Sequence, residues 1–196
     1  MTNKEKILSL AKNNNGFITN KQVKAMGLTT RYLTDMLKNN IIEKVKAGLY
    51  ISTDYIPDKF YEILYNTSGV FSHTTALYLY NLVDRIPLNF DVTVSYDYRG
   101  SLQNNEEVNL FYVKNKFHDM GITKMKSPQG CIIEVYDMER TICDIIRNEK
   151  RIDSELYVSA LKNYVKHKNK KLNILIKYAE KFSIRDKVAS NIRILL

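Results

Sequence analysis

The densest set of side chains able to recognise a ligand lies in Thr29-Thr30-Arg31-Tyr32-Leu33-Thr34-Asp35-Met36-Leu37-Lys38. An arginine can grip O6 and N7 of guanine with two hydrogen bonds. A threonine can reach a base edge, a thymine methyl or a phosphate. Thr29, Thr30, Arg31, Thr34 and Lys38 therefore make a base-reading set if one helix carries them, and Tyr32 at the same end can contact a phosphate or pack beneath its neighbours. A second set, Lys44 and Lys46, lies just downstream on what reads as one face of a hairpin. Lysines placed there would touch the sugar–phosphate backbone and supply affinity and register, without choosing a sequence. A third set, Lys168, Lys170 and Lys171, belongs to a basic, apolar-interleaved C-terminal stretch whose helices would carry the lysines on one outer face as a second nucleic-acid surface.

Side chains arranged for catalysis are scarce. His73 stands between Ser72 and Thr74, but adjacent helical residues do not face one another as a nucleophile and its base must. His118 and His167 have no Cys or His partners at metal-ligand spacing. Asp137 and Glu139 precede an apolar helical run and Asp144 lies inside it, the pattern of helix capping and dipole compensation. There is no glycine-rich phosphate loop and no Gly-x-Ser-x-Gly turn, and the seven glycines leave little material for one. We therefore expect no catalytic residues, no metal and no cofactor. The two cysteines, Cys131 and Cys143, form neither a disulfide framework nor a metal set, and read as reduced core residues.

The elements that must position the first two sets follow from local patterns. Asn3–Lys12 reads as a helix capped by Thr2 or Asn3, ended by Asn13-Asn14-Asn15-Gly16. Gly16–Ile18 reads as a short strand, and Asn20–Met26 as a second helix capped by Thr19 or Asn20 and stopped by Gly27. Thr30–Lys38 is the third helix, with Thr29 as its cap and Leu33, Met36 and Leu37 facing inward. Ile41–Ser52 alternates apolar and polar residues on either side of Ala47-Gly48, a hairpin with a tight turn. Helix, strand, helix, turn, helix and basic hairpin together outline a winged helix-turn-helix.

Asp54–Asp58 reads as a linker. Helices follow at Lys59–Asn66 and Ser72–Leu82, strands at Phe90–Tyr96, Val108–Val113 and Cys131–Tyr136, and helices at Glu139–Arg147, Leu156–Val165, Leu172–Phe182 and Ile184–Leu196. The expected architecture is α+β: a DNA-binding domain over residues 1–53 and a larger α+β domain over 58–196 that ends in basic amphipathic helices.

Charge is segregated along the chain. Residues 1–52 hold nine Lys/Arg against three Asp/Glu, residues 53–160 hold eleven against sixteen, and residues 161–196 hold ten against two. A polyanion is drawn to the two ends and repelled by the centre. The apolar period of the last segment excludes a disordered basic tail. No apolar run approaches the roughly 18 residues that would span a bilayer, and no long apolar region follows the N-terminus, so a cytoplasmic protein is expected.

Gly16-Phe17-Ile18-Thr19, Val23, Met26-Gly27-Leu28, Leu33, Leu37, Ile41 and Val45-Lys46-Ala47-Gly48-Leu49-Tyr50 resemble the N-terminal domain of AbiEi-type antitoxins, from bacterial abortive-infection toxin–antitoxin pairs. Ser72–Leu82 and Asp137–Arg147 are similar to two further stretches of that family, so the resemblance runs over residues 5–147. It implies that the N-terminal domain binds inverted repeats in its own promoter, two copies per operator, and represses its operon. It implies too that the second domain counteracts a nucleotidyltransferase-like toxin without a stable complex. Two other readings of the residues stay open, beside a third in which the acidic middle segment binds the toxin directly. One is a winged-helix regulator whose second domain senses a ligand, which requires a cavity with convergent polar groups. The other is an enzyme acting on nucleic acid, which requires clustered carboxylates.

Overall fold

The computed structural model describes residues 1–193, and its chain divides into two compact units: Met1–Tyr65 with Lys126–Ile133, and Asn66–Met125 with Glu134 onward. The fold is α+β.

In the first unit, α1 spans Asn3–Asn13, β1 Phe17–Thr19, α2 Asn20–Ala25, α3 Arg31–Lys38, β2 Ile42–Lys46 and β3 Leu49–Ser52. Reciprocal capping boxes start the first two helices. Thr2 pairs with Glu5 and Thr19 with Gln22, each side chain satisfying a backbone N–H at the other's position. Gly27 takes φ +73° at the turn between α2 and α3, a conformation that costs glycine nothing. The strands form an antiparallel sheet in the order β1-β3-β2. Its two faces bury different things. Ile18 and Ile42 join Ile7, Ala11, Val23, Leu33 and Met36 under the three helices. Phe17, Leu49 and Ile51 pack with Cys131, Tyr61 and Tyr65.

That second face explains why the unit continues past the hairpin. Where the sequence suggests a linker, Asp58 is almost fully buried and caps α4, Lys59–Leu64, through the N–H groups of Phe60 and Tyr61 at 3.1 and 3.3 Å. The same carboxylate accepts the Ser127 hydroxyl, and Ser127 Oγ in turn accepts the Cys131 N–H at 3.1 Å. A segment distant in sequence thus completes the N-terminal unit.

The second unit contains β4 Val70–Phe71, α5 His73–Leu79, β5 Phe90–Ser95, β6 Val108–Val113, α6 Asn115–His118, β7 Ile122–Lys126 and β8 Ile132–Tyr136 (apart from Lys126, Ile132 and Ile133, which group with the first unit), α7 Met138–Arg147, α8 Ser154–Lys166, α9 Leu172–Lys181 and α10 Arg185–Arg193. The strand order is β6-β5-β4-β8-β7, with β5 parallel to β6 and antiparallel to β4, and β4 parallel to β8. Residues 70–71 are too few to show a period, and Ile122–Lys126 carries too little apolar alternation; neither strand is legible from the sequence. The helix expected over Ile184–Leu196 is present as α10, and residues 194–196 lie outside the described residues.

α7 is the axis of this unit. Met138 to Ile146 are all buried, and the helix packs against α5, α8, α9 and α10. Arg140, fully buried, donates from Nε to Asp144 at 2.8 Å and from Nη1 to the Phe117 and Met120 carbonyls at 2.7 and 2.8 Å. Its guanidinium lies over the Tyr136 and Phe182 rings at 4.1 and 4.7 Å. Burial pushes the Asp144 carboxyl up, and Arg140 and Arg147 oppose that shift. A buried charge persists only when paired and hydrogen-bonded in this way.

Candidate nucleic-acid interface

α3 is two-sided. Leu33 and Met36 are buried in the helical core, while Thr29, Arg31, Tyr32, Thr34, Asp35 and Lys38 are exposed and Thr30 is half-buried. The residues read as a base-contacting set therefore share one solvent-facing surface. Tyr32 is also braced, its hydroxyl accepting the Asn3 side-chain amide at 2.8 Å. This bond ties the start of α1 to the start of α3.

The expected cap does not form. The N-cap of α3 is Thr30, not Thr29. Its backbone is already helical at φ −66°, ψ −8°, and its side chain makes no capping hydrogen bond. Capping needs an extended N-cap residue so that its oxygen can turn back to the first free N–H groups. Here the helix starts from a tight turn, with the Tyr32 and Leu33 N–H groups on the Thr29 and Thr30 carbonyls. The threonine hydroxyls are thereby spared for other partners.

The hairpin separates the two wing lysines. Lys44 pairs with Tyr50 and Lys46 with Leu49, a register shift that inserts Val45 as a bulge. Gly48 closes the turn at φ +75°. A bulge breaks the two-residue alternation from which a shared face was read. Lys44 is exposed, whereas Lys46 is half-buried and its ammonium donates to the Glu62 carbonyl of α4. α2 adds two exposed lysines that the sequence reading passed over, Lys21 and Lys24. Their charge was visible in the sequence, but their exposure follows from α2 packing through Val23.

In the second unit, Lys168, Lys170 and Lys171 sit not on a helix face but in the connection between α8 and α9, with Lys168 and Lys171 exposed and Lys170 half-buried. The Lys171 backbone N–H donates to Glu139 at 2.7 Å, which anchors that connection to α7. Part of the C-terminal charge is internally engaged: Lys187 meets Glu149 at 2.7 Å and Arg185 meets Glu180 at 3.5 Å.

The carboxylates expected to be structural are occupied as such. Asp137 caps α7 through the Arg140 N–H at 2.7 Å and accepts the Tyr178 hydroxyl at 3.0 Å. Glu139 holds Tyr164 and the α9 start. His73 is buried against Phe111, ring centroids 3.5 Å apart. Asn148 donates to His73 Nε2 at 3.1 Å and to the Asp144 carbonyl at 3.0 Å. His73 Nδ1 therefore carries the proton and donates to Ser72 Oγ at 2.9 Å. Burial first, then Arg140, Arg151 and Arg147, hold this imidazole well below its ordinary range and keep it neutral. Among the described residues no group of His, Cys, Asp and Glu side chains is placed to hold a metal, and no helix is long and apolar enough to cross a membrane.

The fold and this face define the first unit as a winged helix-turn-helix module. Residues 5–53 match the family described as "Transcriptional regulator, AbiEi antitoxin", so the N-terminal module is of the AbiEi antitoxin type. The chain as a whole has the fold of the RV2827C protein of Mycobacterium tuberculosis, with a TM-score of 0.65 at 11% identity over 95% of this chain and 74% of that one. No curated protein matches the chain.

Proposed function

We propose that the protein is a cytoplasmic, DNA-binding antitoxin that represses its own operon and counteracts a nucleotidyltransferase-like toxin without forming a stable complex with it. α3 enters the major groove. Arg31 with Thr29, Thr30 and Thr34 reads bases, while Tyr32, Lys38 and Lys44 hold phosphates. Two copies occupy the inverted repeats of one operator. The Lys168, Lys170 and Lys171 connection adds a second phosphate contact. The chain has no catalytic step of its own in this scheme, and the larger unit supplies the antitoxin action.

The observation that carries this reading is the exposed polar face of α3, Arg31 at its start, within a segment of AbiEi antitoxin type. Titration of the upstream duplex tests it. Arg31→Ala should lose roughly 1–3 kcal/mol of operator affinity and relax base preference at one position. Equal binding of operator and random duplex by the parent protein would refute the proposal. The antitoxin half is tested on the full chain, where Arg31→Ala with Lys44→Ala should lose repression and retain neutralisation. A truncation at residue 53 is unsuitable, because it strips Phe17, Leu49 and Ile51 from the Tyr61, Tyr65 and Cys131 side chains.

A ligand-responsive regulator is the second reading, and one observation favours it: the larger unit contains a cationic cavity.

A further inference from the structure

Where α7 ends, its last turn, the short 3-10 turn Glu149–Arg151, α8 and α10 border an open cavity of about 790 Å³. Four cations line it, Arg147, Lys150, Arg151 and Lys187, against one carboxylate, Glu149. Three of the four are held in place. Arg147 bonds Asp144 at 3.1 Å and lies over Phe182 at 4.2 Å. Arg151 lies over Phe111 at 4.3 Å. Lys187 donates to the Ile146 carbonyl and to Glu149, both at 2.7 Å.

Cations at a helix C-terminus offset its dipole, and one ammonium on Ile146 suffices for that. Arg147 also pairs with the buried Asp144, which leaves Lys150 and Arg151, with no carboxylate partner among the described residues, in need of a different account. Ile152, Val158 and Tyr157 add apolar lining, and the Tyr157 hydroxyl donates to Asn191 at 3.0 Å. Fixed guanidinium and ammonium groups match phosphate oxygens, and guanidinium does so with two hydrogen bonds at once. The volume lies within the roughly 300–1,000 Å³ of small-molecule sites, far more than a phosphate alone would fill.

We propose that this cavity binds a nucleoside polyphosphate, the phosphates among Arg147, Lys150, Arg151 and Lys187 and the base against Ile152 and Tyr157. Neither DNA contact nor toxin antagonism requires this site.

Calorimetric titration of the full-length protein with ATP, GTP, adenosine and pyrophosphate tests it. Saturable binding of at least one of the two nucleoside triphosphates, tighter than pyrophosphate and tighter than adenosine, is expected. Lys150→Ala with Arg151→Gln should weaken it by about tenfold or more, the scale of lost charge-assisted contacts. Lys150→Glu, at an exposed side chain, should act in the same direction without disturbing the Phe111 stack. Lys124→Ala with Lys126→Ala, two exposed lysines of β7, removes as much charge away from the cavity and should leave binding unchanged. Absence of saturable binding, pyrophosphate binding as tight as the nucleotide, or equal losses in the cavity and control variants would each overturn the proposal. Arg31→Ala should bind nucleotide like the parent, so failure of the DNA reading is separable from failure of this one.

Discussion

The two wing lysines offer the sharpest test of how the first unit would meet DNA. Lys44 is exposed, and Lys46 is turned to the Glu62 carbonyl by the bulge at Val45. A lysine that neutralises a phosphate releases counterions and contributes about 0.9 to the slope of log affinity against log salt. Between 50 and 200 mM salt one such contact is worth roughly a 3.5-fold change in affinity. Lys44→Ala should therefore reduce the salt response of binding by about that factor, equally for operator and random duplex, with an unchanged unfolding midpoint. Lys46→Ala should leave the slope close to the parent's. It removes a charge-assisted hydrogen bond, however, and should cost on the order of 1–2 kcal/mol of stability, or several degrees in midpoint for a small domain. Filter binding at four salt concentrations and thermal unfolding by circular dichroism measure both. If Lys46→Ala flattens the salt slope as Lys44→Ala does and unfolds like the parent, the bulge argument is wrong.

Arg140→Ala should destabilise the larger unit by about 3–5 kcal/mol in chemical denaturation, because it leaves Asp144 buried with a single cationic partner; a loss below about 1 kcal/mol would refute the pairing. His73 is held neutral when folded, so its contribution to stability is complete above the unfolded pKa near 6.5 and is lost as pH falls below it, at up to about 1.4 kcal/mol per pH unit. His73→Asn, which tolerates the positive φ of 43° at this position, should flatten that dependence between pH 6.5 and 5.5. A variant losing stability as steeply as the parent would place the titration elsewhere. Lys168→Ala, Lys170→Ala and Lys171→Ala together should weaken all duplexes alike or reduce bending. Identical gel shifts and bend angles would remove this connection from the interface.

The sequence by itself determined the kind and order of the elements in the winged module. Its signals are local: cap-type residues at Thr2 or Asn3 and at Thr19 or Asn20, a glycine at each tight turn, a 3.6-residue period in α3 and a two-residue period in the hairpin. The same locality made the buried α7 legible, since its apolar residues and its acidic start lie in one short run. Only the tertiary structure decided what lies across from each element. Residues 126–133 join the first unit because the sheet has a second apolar face that three helices leave uncovered. Lys46 leaves the wing's polar face because a bulge shifts the register and brings a carbonyl within reach. Arg140 is buried because Asp144 and two carbonyls converge on it. The cationic cavity exists because the ends of α7, α8 and α10 meet, although Lys187 is far from Arg147 in sequence. Periodicity reports which side of an element faces inward. The partner on that side is set by long-range closure, whose energy is spread over contacts that no local window contains.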